Sequence, residues 1–350
     1  MTELMKDIRS QAGELAKSLA YTISDGRRAL EEAADWVRAT RDVYIAGIGS
    51  SWHAGMAAHA IFHEAGRPAV LLDASEMVHF AKLPKGAVVI ALSRSGKSIE
   101  IVKILDQARN AGAKIVGITN TPESPLAARA DVTLLLNSAF DHNVSVTMYS
   151  ALALVGGLLA EASTSSLDDA KTGAIAAAIE ASGGMLDDWV GAIQGSAWFA
   201  KDAPVYFLAR GASLASCHET RLLWEEAAKA PASAMSTGAF RHGPQEILAP
   251  GLHVGLWIDP ERMRDEDLAL AADFAAHDVQ VMVIGRDVPS DAGELVLPVP
   301  ETLPRWQFLV DIVPGQIASE HLASVRGVDC DSFRYCSYIV ETEGGLEKHT

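Results

Sequence analysis

The chain has 350 residues, 49% of them hydrophobic and 21% charged, which is material for two ordinary domains with packed cores and excludes a disordered polymer. Its 29 Lys and Arg against 45 Asp and Glu leave a formal charge of −16, which excludes the basic surface that binding to a nucleic-acid backbone requires. A small anion held by backbone amides at a helix N-terminus stays compatible with that charge.

In chain order, residues 1 to 40 read as helical. Leu15 and Leu19 lie four apart, and Leu30, Ala33 and Val37 share one face. The texture then changes to short apolar runs alternating with amphipathic stretches. Residues 43–47, 70–72, 88–92, 115–118 and 132–136 read as five strands, with a helix over 54–64 closed by Gly66. A second helix carries Ile101, Val102, Ile104, Leu105 and Ala108 on a half-buried face. Continuous apolar strands separated by helices predict a parallel sheet covered on both faces. The order repeats further on. Residues 205–208 are followed by Gly211-Ala212-Ser213 as 43–47 are by Gly49-Ser50-Ser51, and 254–258, 281–284 and 295–297 parallel the later strands of the first set. Between the sets, 167–189 is Ala-rich and predicts a linker helix.

The expected organisation is a helical segment over 1–34, a first unit over 35–165, a linker over 166–192, a second unit over 193–330, and a tail over 331–350 that covers the site. The uncharged run 144–160 holds Ser145, Thr147, Ser150 and Gly156-Gly157 and predicts a buried helix rather than a membrane span. Cys217, Cys330 and Cys336 show no C-x-x-C spacing, so no disulfide framework or zinc site is expected. The N-terminus lacks a basic-then-apolar signal pattern. A cytoplasmic protein without membrane or nucleic-acid partners is the expectation.

Ser93-Arg94-Ser95-Gly96-Lys97-Ser98 leaves a buried strand and opens a helix. Free amides, the helix dipole and hydroxyls meet there, an arrangement that suits phosphate; the competing reading is that Ser98 caps the helix and the other serines fill a turn. Ser50 and Ser51 occupy the equivalent turn of the first strand, and Thr147 opens the helix after the fifth. Gly47-x-Gly49 with Asp73 also admits a dinucleotide reading, but Trp52 stands where that fingerprint needs its third glycine.

Gly49-Ser50-Ser51-Trp52-His53-Ala54, Ala74-Ser75-Glu76, Ala91-Leu92-Ser93-Arg94-Ser95-Gly96 and Arg241-His242-Gly243-Pro244 together resemble the sugar isomerase (SIS) domain family, over nearly the whole chain. That family includes the isomerase half of glucosamine-6-phosphate synthase and stand-alone amino-sugar-phosphate deaminases, fructosamine-phosphate deglycases and ketose/aldose isomerases. The resemblance implies two tandem doubly wound parallel-sheet units of flavodoxin-like type behind a helical N-terminus. It implies a sugar phosphate as ligand, its phosphate held by Ser50, Ser51, Ser93, Ser95, Ser98 and the backbone of Arg94. The matching loop of the second unit, Asp259-Pro260-Glu261-Arg262, has lost the serines and gained two acids, so one phosphate site per chain is expected.

Residues 219–230 read as a helix that Pro231 stops, with Glu219 and Glu226 on one face. By the same resemblance Glu226 is the acid/base that moves a proton between C1 and C2, and His242 opens the sugar ring. The pattern further implies a homodimer with a shared site, no cofactor and no metal. Two positions depart from the synthase pattern. Leu223 and Tyr338 stand where that pattern has lysines, and the second of those lysines forms a Schiff base. The sequence shows no glutaminase segment with its nucleophilic Cys, so glutamine-dependent synthesis is not expected. An isomerase, deaminase or deglycase is the leading reading, and a phosphosugar-sensing module without catalysis is the alternative. His59 and His63, four apart beside Glu64, lack a third placed ligand and read as a polar helix face.

Overall fold

The computed structural model describes residues 1–164 and 167–345. Of the expected segment boundaries, 165 and 166 lie outside the described residues, as do the last five residues of the expected tail. Two helices lead the chain: α1 (Glu3–Ile23) and α2 (Arg27–Ala39), the latter burying Leu30, Ala33, Ala34 and Val37 on one stripe.

The first sheet is built from β1 (Val43–Gly47), β2 (Val70–Asp73), β3 (Val88–Leu92), β4 (Lys114–Thr119) and β5 (Val132–Leu135). All its pairings are parallel and the order is β2-β1-β3-β4-β5. Between the strands run α3 (Ser50–Glu64), α4 (Ala74–Phe80), α5 (Ile99–Ala111) and α6 (Pro125–Arg129), and α7 (Thr147–Ser163) follows β5. Strand residues alternate between two faces. Ala46, Val89, Ala91 and Ile115 pack with the apolar stripes of α4, α5 and α6. Ile45 and Leu92 point the other way, close to α3 at Gly55 and to α7 at Gly156. Sixteen of the 17 residues of α7 are buried. The apolar run over 144–160 is thus a core helix, and no helix among the described residues is long and apolar enough to cross a membrane.

After α7 come α8 (Asp169–Gly184) and α9 (Leu186–Gln194), two helices where the sequence suggested one. The break falls at Met185, directly after Gly183-Gly184, where the backbone is least inclined to stay helical. The second sheet then forms from β6 (Val205–Ala209), β7 (Ser233–Ser236), β8 (His253–Trp257), β9 (Gln280–Gly285) and β10 (Leu295–Pro298), in the order β10-β9-β8-β6-β7 and again all parallel. Its helices are α10 (Leu214–Glu226), α11 (Thr237–Phe240), α12 (Arg264–Ala276) and α13 (Ile312–Arg326). Numbered within its own set, each sheet runs 2-1-3-4-5, the flavodoxin-type order, whose switch point lies between strands 1 and 3. Compactness divides the chain into two units: Gly13–Ala176 with the tail from Phe333 on, and Met1–Ala12 with Ala177–Ser332.

Two helices differ from the sequence reading. α3 begins at Ser50 rather than at 54, because a Cβ on Gly47 would meet the Ser51 carbonyl at 2.6 Å and glycine there lets β1 run straight into the helix. α10 spans Leu214–Glu226 rather than 219–230. Lys229 adopts φ +53° and the Trp224 carbonyl accepts from the Ala230 amide, closing the chain before Pro231.

Candidate functional site

β1 and β3 lie side by side in register, Ala46 against Ala91, so the turns that leave them sit together at the switch point of the first sheet. After β3, Ser93 and Ser95 are each 4% exposed. Their hydroxyl oxygens accept from the Gly96 and Lys97 amides, at 3.0 and 3.2 Å, which curls the loop. Gly96 is irreplaceable there: φ is +62°, and a Cβ would stand 2.2 Å from the Ser124 hydroxyl. The Arg94 carbonyl accepts from the Asn120 amide and from the Thr119 and Thr121 hydroxyls, tying the loop to the end of β4.

The donors of this loop are left open. Ser98 stands at the N-cap of α5 with no side-chain capping bond, so the capping reading of this serine does not hold. The amides of Arg94, Ser95, Ser98, Glu100 and Ile101 have no acceptor among the described residues, and the Ile99 amide donates to the Val340 carbonyl of the tail at 3.1 Å. At the neighbouring turn Gly49 takes φ +55° and α3 starts at Ser50, again without a side-chain cap. The hydroxyls of Ser50 and Ser51 have no hydrogen bond among the described residues. Amides without acceptors at the start of α5, beside open hydroxyls at the start of α3, are an arrangement that suits an anion.

The third helix start differs. The Asp141 carboxylate accepts from the amides of Val146, Thr147 and Met148 at 2.9–3.1 Å, so α7 already carries its anion. Thr147, 2% exposed, has its amide committed to it. Nothing in the spacing of residues 141–148 announces this cap.

Arg94 reaches the tail. Its guanidinium lies 3.9 Å above the Tyr338 ring, Nη2 donates to the Tyr338 carbonyl at 2.8 Å, and Nη1 donates to the Asn143 carbonyl at 3.3 Å. The Tyr338 hydroxyl donates to the Asp141 carbonyl at 3.3 Å. The side chain at the family's lysine position thus serves as a platform for a cation.

In the other unit α10 buries Glu219 completely, and Glu226, half-buried, is its last residue. Arg221 pairs with Glu225 on the exposed side. The Lys229 ammonium donates to the carbonyls of Glu226 and, at 2.7 Å, of Ser332. His242 is exposed in the turn after α11, and its ring has no hydrogen bond among the described residues.

The turn after β8, which matches the serine loop, is filled from within. One oxygen of Asp259 accepts from the amides of Glu261, Arg262 and Met263 at 3.1, 2.6 and 3.0 Å. Asp267 accepts from the Asp259 amide and from Arg210 Nε; burial raises its pKa in spite of that arginine. At the start of α13, Asp311 is fully buried between the hydroxyls of Ser213 and Ser216, the first at 2.6 Å. Loss of solvent pushes its carboxyl up to about 7 against the pull of both hydroxyls.

Elsewhere, the His59 and His63 rings lie 4.0 Å apart, and burial, then the neighbouring ring, holds His59 below its usual pKa. Among the described residues no group of three or more His, Cys, Asp or Glu is placed to hold a metal. All three cysteines are free thiols.

Parallel 2-1-3-4-5 sheets, the first with a serine-rich loop at its switch point, define a doubly wound α/β protein. Residues 37–158, within the first unit, match the SIS domain. It is 29% identical to the isomerizing glutamine–fructose-6-phosphate aminotransferase of Aeropyrum pernix, over 97% of this chain and 57% of that protein; the chain thus spans little more than half of that relative's length. In structure it is similar to the C-terminal domain of glucosamine-fructose-6-phosphate aminotransferase from Francisella tularensis, with a TM-score of 0.83 at 19% identity, covering 95% of this chain and 98% of that one. It is equally similar to glucosamine-6-phosphate deaminase from Thermotoga maritima, with a TM-score of 0.82 at 19% identity, covering 97% and 99%. At such identities the likeness establishes the shared fold.

Proposed function

We propose that the chain is a cytoplasmic sugar-phosphate isomerase that also expels an amine, acting on an amino-sugar 6-phosphate or an Amadori-type phosphate. The observation that carries this reading is the open hydroxyls of Ser50 and Ser51 together with the amides of Arg94, Ser95, Ser98, Glu100 and Ile101, which have no acceptor among the described residues. Ser50, Ser51, Ser93, Ser95, Ser98 and the Arg94 amide hold the phosphate. His242 opens the sugar ring, and Glu226 moves the proton between C1 and C2. With a 2-amino aldose, transfer from C2 to C1 leaves an imine at C2, which water hydrolyses to the ketose phosphate and ammonia. With an Amadori phosphate, transfer from C1 to C2 leaves the imine at C1, and hydrolysis gives the aldose phosphate and the amine.

No lysine of the chain is needed. Leu223 and Tyr338 replace the family amines, Lys229 is committed to two carbonyls, and an ammonium so held is not a nucleophile. The exposure of His242 supports its donation to the site of a second subunit in a homodimer.

The test is incubation with glucosamine 6-phosphate and a panel of fructosamine phosphates, with release of ammonia or amine measured. Glu226→Gln should lower turnover by about a hundredfold or more with affinity retained. Borohydride reduction during turnover should leave the protein mass unchanged, and a lysine adduct would overturn the mechanism. A Glu226→Gln chain mixed with a His242→Asn chain should regain activity. Tight binding of the whole panel without turnover would favour the sensing reading instead.

A further inference from the structure

The chain leaves α10 through a buried turn in which Ala227, Ala228 and Ala230 are all covered. Lys229, the residue between them, stands at φ +53°, a conformation that glycine takes at little cost and a lysine does not. Its ammonium turns back on the helix and donates to the Glu226 carbonyl and, at 2.7 Å, to the Ser332 carbonyl. Both sides of this bridge are held. Arg326, the last residue of α13, donates to the Lys229 carbonyl at 3.4 Å and to Asp202 at 2.9 Å. On the other side, Asp329 accepts from the Ser332 hydroxyl at 2.6 Å and from the Asp331 amide at 2.9 Å. Asp331 in turn accepts from the Glu3 and Leu4 amides that open α1, at 2.9 and 2.8 Å.

Glu226 is the last residue of α10, and the last carbonyls of a helix have no amide of their own helix to accept from. A cation there is favourable with the helix dipole. A glycine at 229 would close the same turn without strain, so the lysine is explained by what its ammonium does rather than by the turn. We infer that Lys229 is a positioning residue: by tying the Glu226 backbone to Ser332 it fixes where the Glu226 carboxyl stands against C1 and C2 of the sugar. The inference rests on the proton transfer assigned to Glu226 above. Lys229 need not touch the substrate. Its effect falls on rate rather than affinity, because a displaced acid/base transfers its proton poorly while the groups assigned to the phosphate are untouched.

A pair of substitutions separates the ammonium from the backbone. Lys229→Gly removes the ammonium and relieves the left-handed residue. Lys229→Met removes the ammonium and keeps the strain, so it should melt lower than Lys229→Gly. With glucosamine 6-phosphate and a fructosamine 6-phosphate as substrates, both variants should lose kcat alike, by about tenfold or more, with KM within about twofold of the wild-type value. Lys229→Arg, which keeps a cation with several donors, should lose less kcat than either. A kcat that follows the melting temperatures, with Lys229→Gly turning over as the wild-type chain does, would make Lys229 structural and overturn the inference. A rise in KM with kcat unchanged overturns it as well. Turnover lost in Glu226→Gln but retained in all three Lys229 variants overturns the positioning role and spares the acid/base. Full turnover by Glu226→Gln, or none by the wild-type chain, overturns both.

Discussion

After β3 and after β8 the chain makes the same passage, from the carboxyl end of a fully buried central strand into a 13-residue helix. It does so in opposite ways. The first unit lines the turn with Ser93, Ser95 and Ser98 and leaves amides open; the second sets Asp259 into the turn and gives its carboxylate three of them. The same contrast recurs one strand over. Ser50 and Ser51 leave their hydroxyls open, whereas Ser213 and Ser216 donate to Asp311. A helix N-terminus at a switch point wants an anion. Whether the chain supplies one decides whether the turn is a receptor or a structural cap.

The sharpest way to break this contrast is to give the first loop an anion of its own. Ser95→Asp makes it resemble the Asp259 turn. Affinity for glucosamine 6-phosphate should fall by about a hundredfold or more, since a carboxylate then takes the donors and repels the ligand. Ser95 is buried, but the new carboxylate meets loop amides that have no acceptor among the described residues, so the melting temperature should hold. Unchanged affinity by calorimetry would remove the loop from the site.

The next effect in size lies at Asp311. Its carboxyl rests at about 7 in the folded chain because it is buried, against roughly 3.9 in an unfolded one. The folded state therefore keeps a proton that the unfolded state releases. The stabilisation is whole below about pH 4, declines as pH rises toward 7, and is gone above that. Relative to Asp311→Asn, which does not titrate, the wild-type chain should lose up to about 3 kcal/mol between pH 4 and pH 7. Parallel pH profiles of the two chains in denaturant would contradict the burial of an ionisable group there.

What was legible in the sequence is what is local in it. Residues 88–92 read as a central strand because every one is apolar, and the serine loop was visible because its donors lie within six positions. β7, Ser-Ala-Met-Ser, has no β-branched residue and forms because β6 offers it an edge; nothing in its own composition foretold it. The end of α10 was misplaced because Lys229 takes a left-handed conformation in an otherwise good helical stretch. The buried acids were invisible for another reason. Ser213 meets Asp311 across 98 positions, Arg210 meets Asp267 across 57, and Arg94 meets Tyr338 across 244. Such pairs exist only once the sheet order has brought their strand ends together.

The smallest effect tests the contrast from the other side, by opening the filled turn. Serines in place of both acids (D259S/E261S) restore the residue type of the first loop. The loss of Asp259 leaves three amides without their acceptor, which should cost about 1 to 2 kcal/mol as the loss of a helix cap, or about 2 to 6 °C in melting temperature. Glu261 is exposed, so its removal should add little. Asp267 still accepts from the residue 259 amide and still holds Arg210, so the turn keeps its anchor to α12. An emptied turn of this kind should take an external anion in place of the lost carboxylate. Inorganic phosphate should therefore recover part of the lost melting temperature in the double variant, beyond any shift it produces in the wild-type chain, because a ligand that binds only the folded state stabilises it by mass action. Chloride at equal ionic strength should not. Recovery by both salts would mean that screening alone is at work, and that the Asp259 turn is a cap by shape rather than a receptor occupied from within.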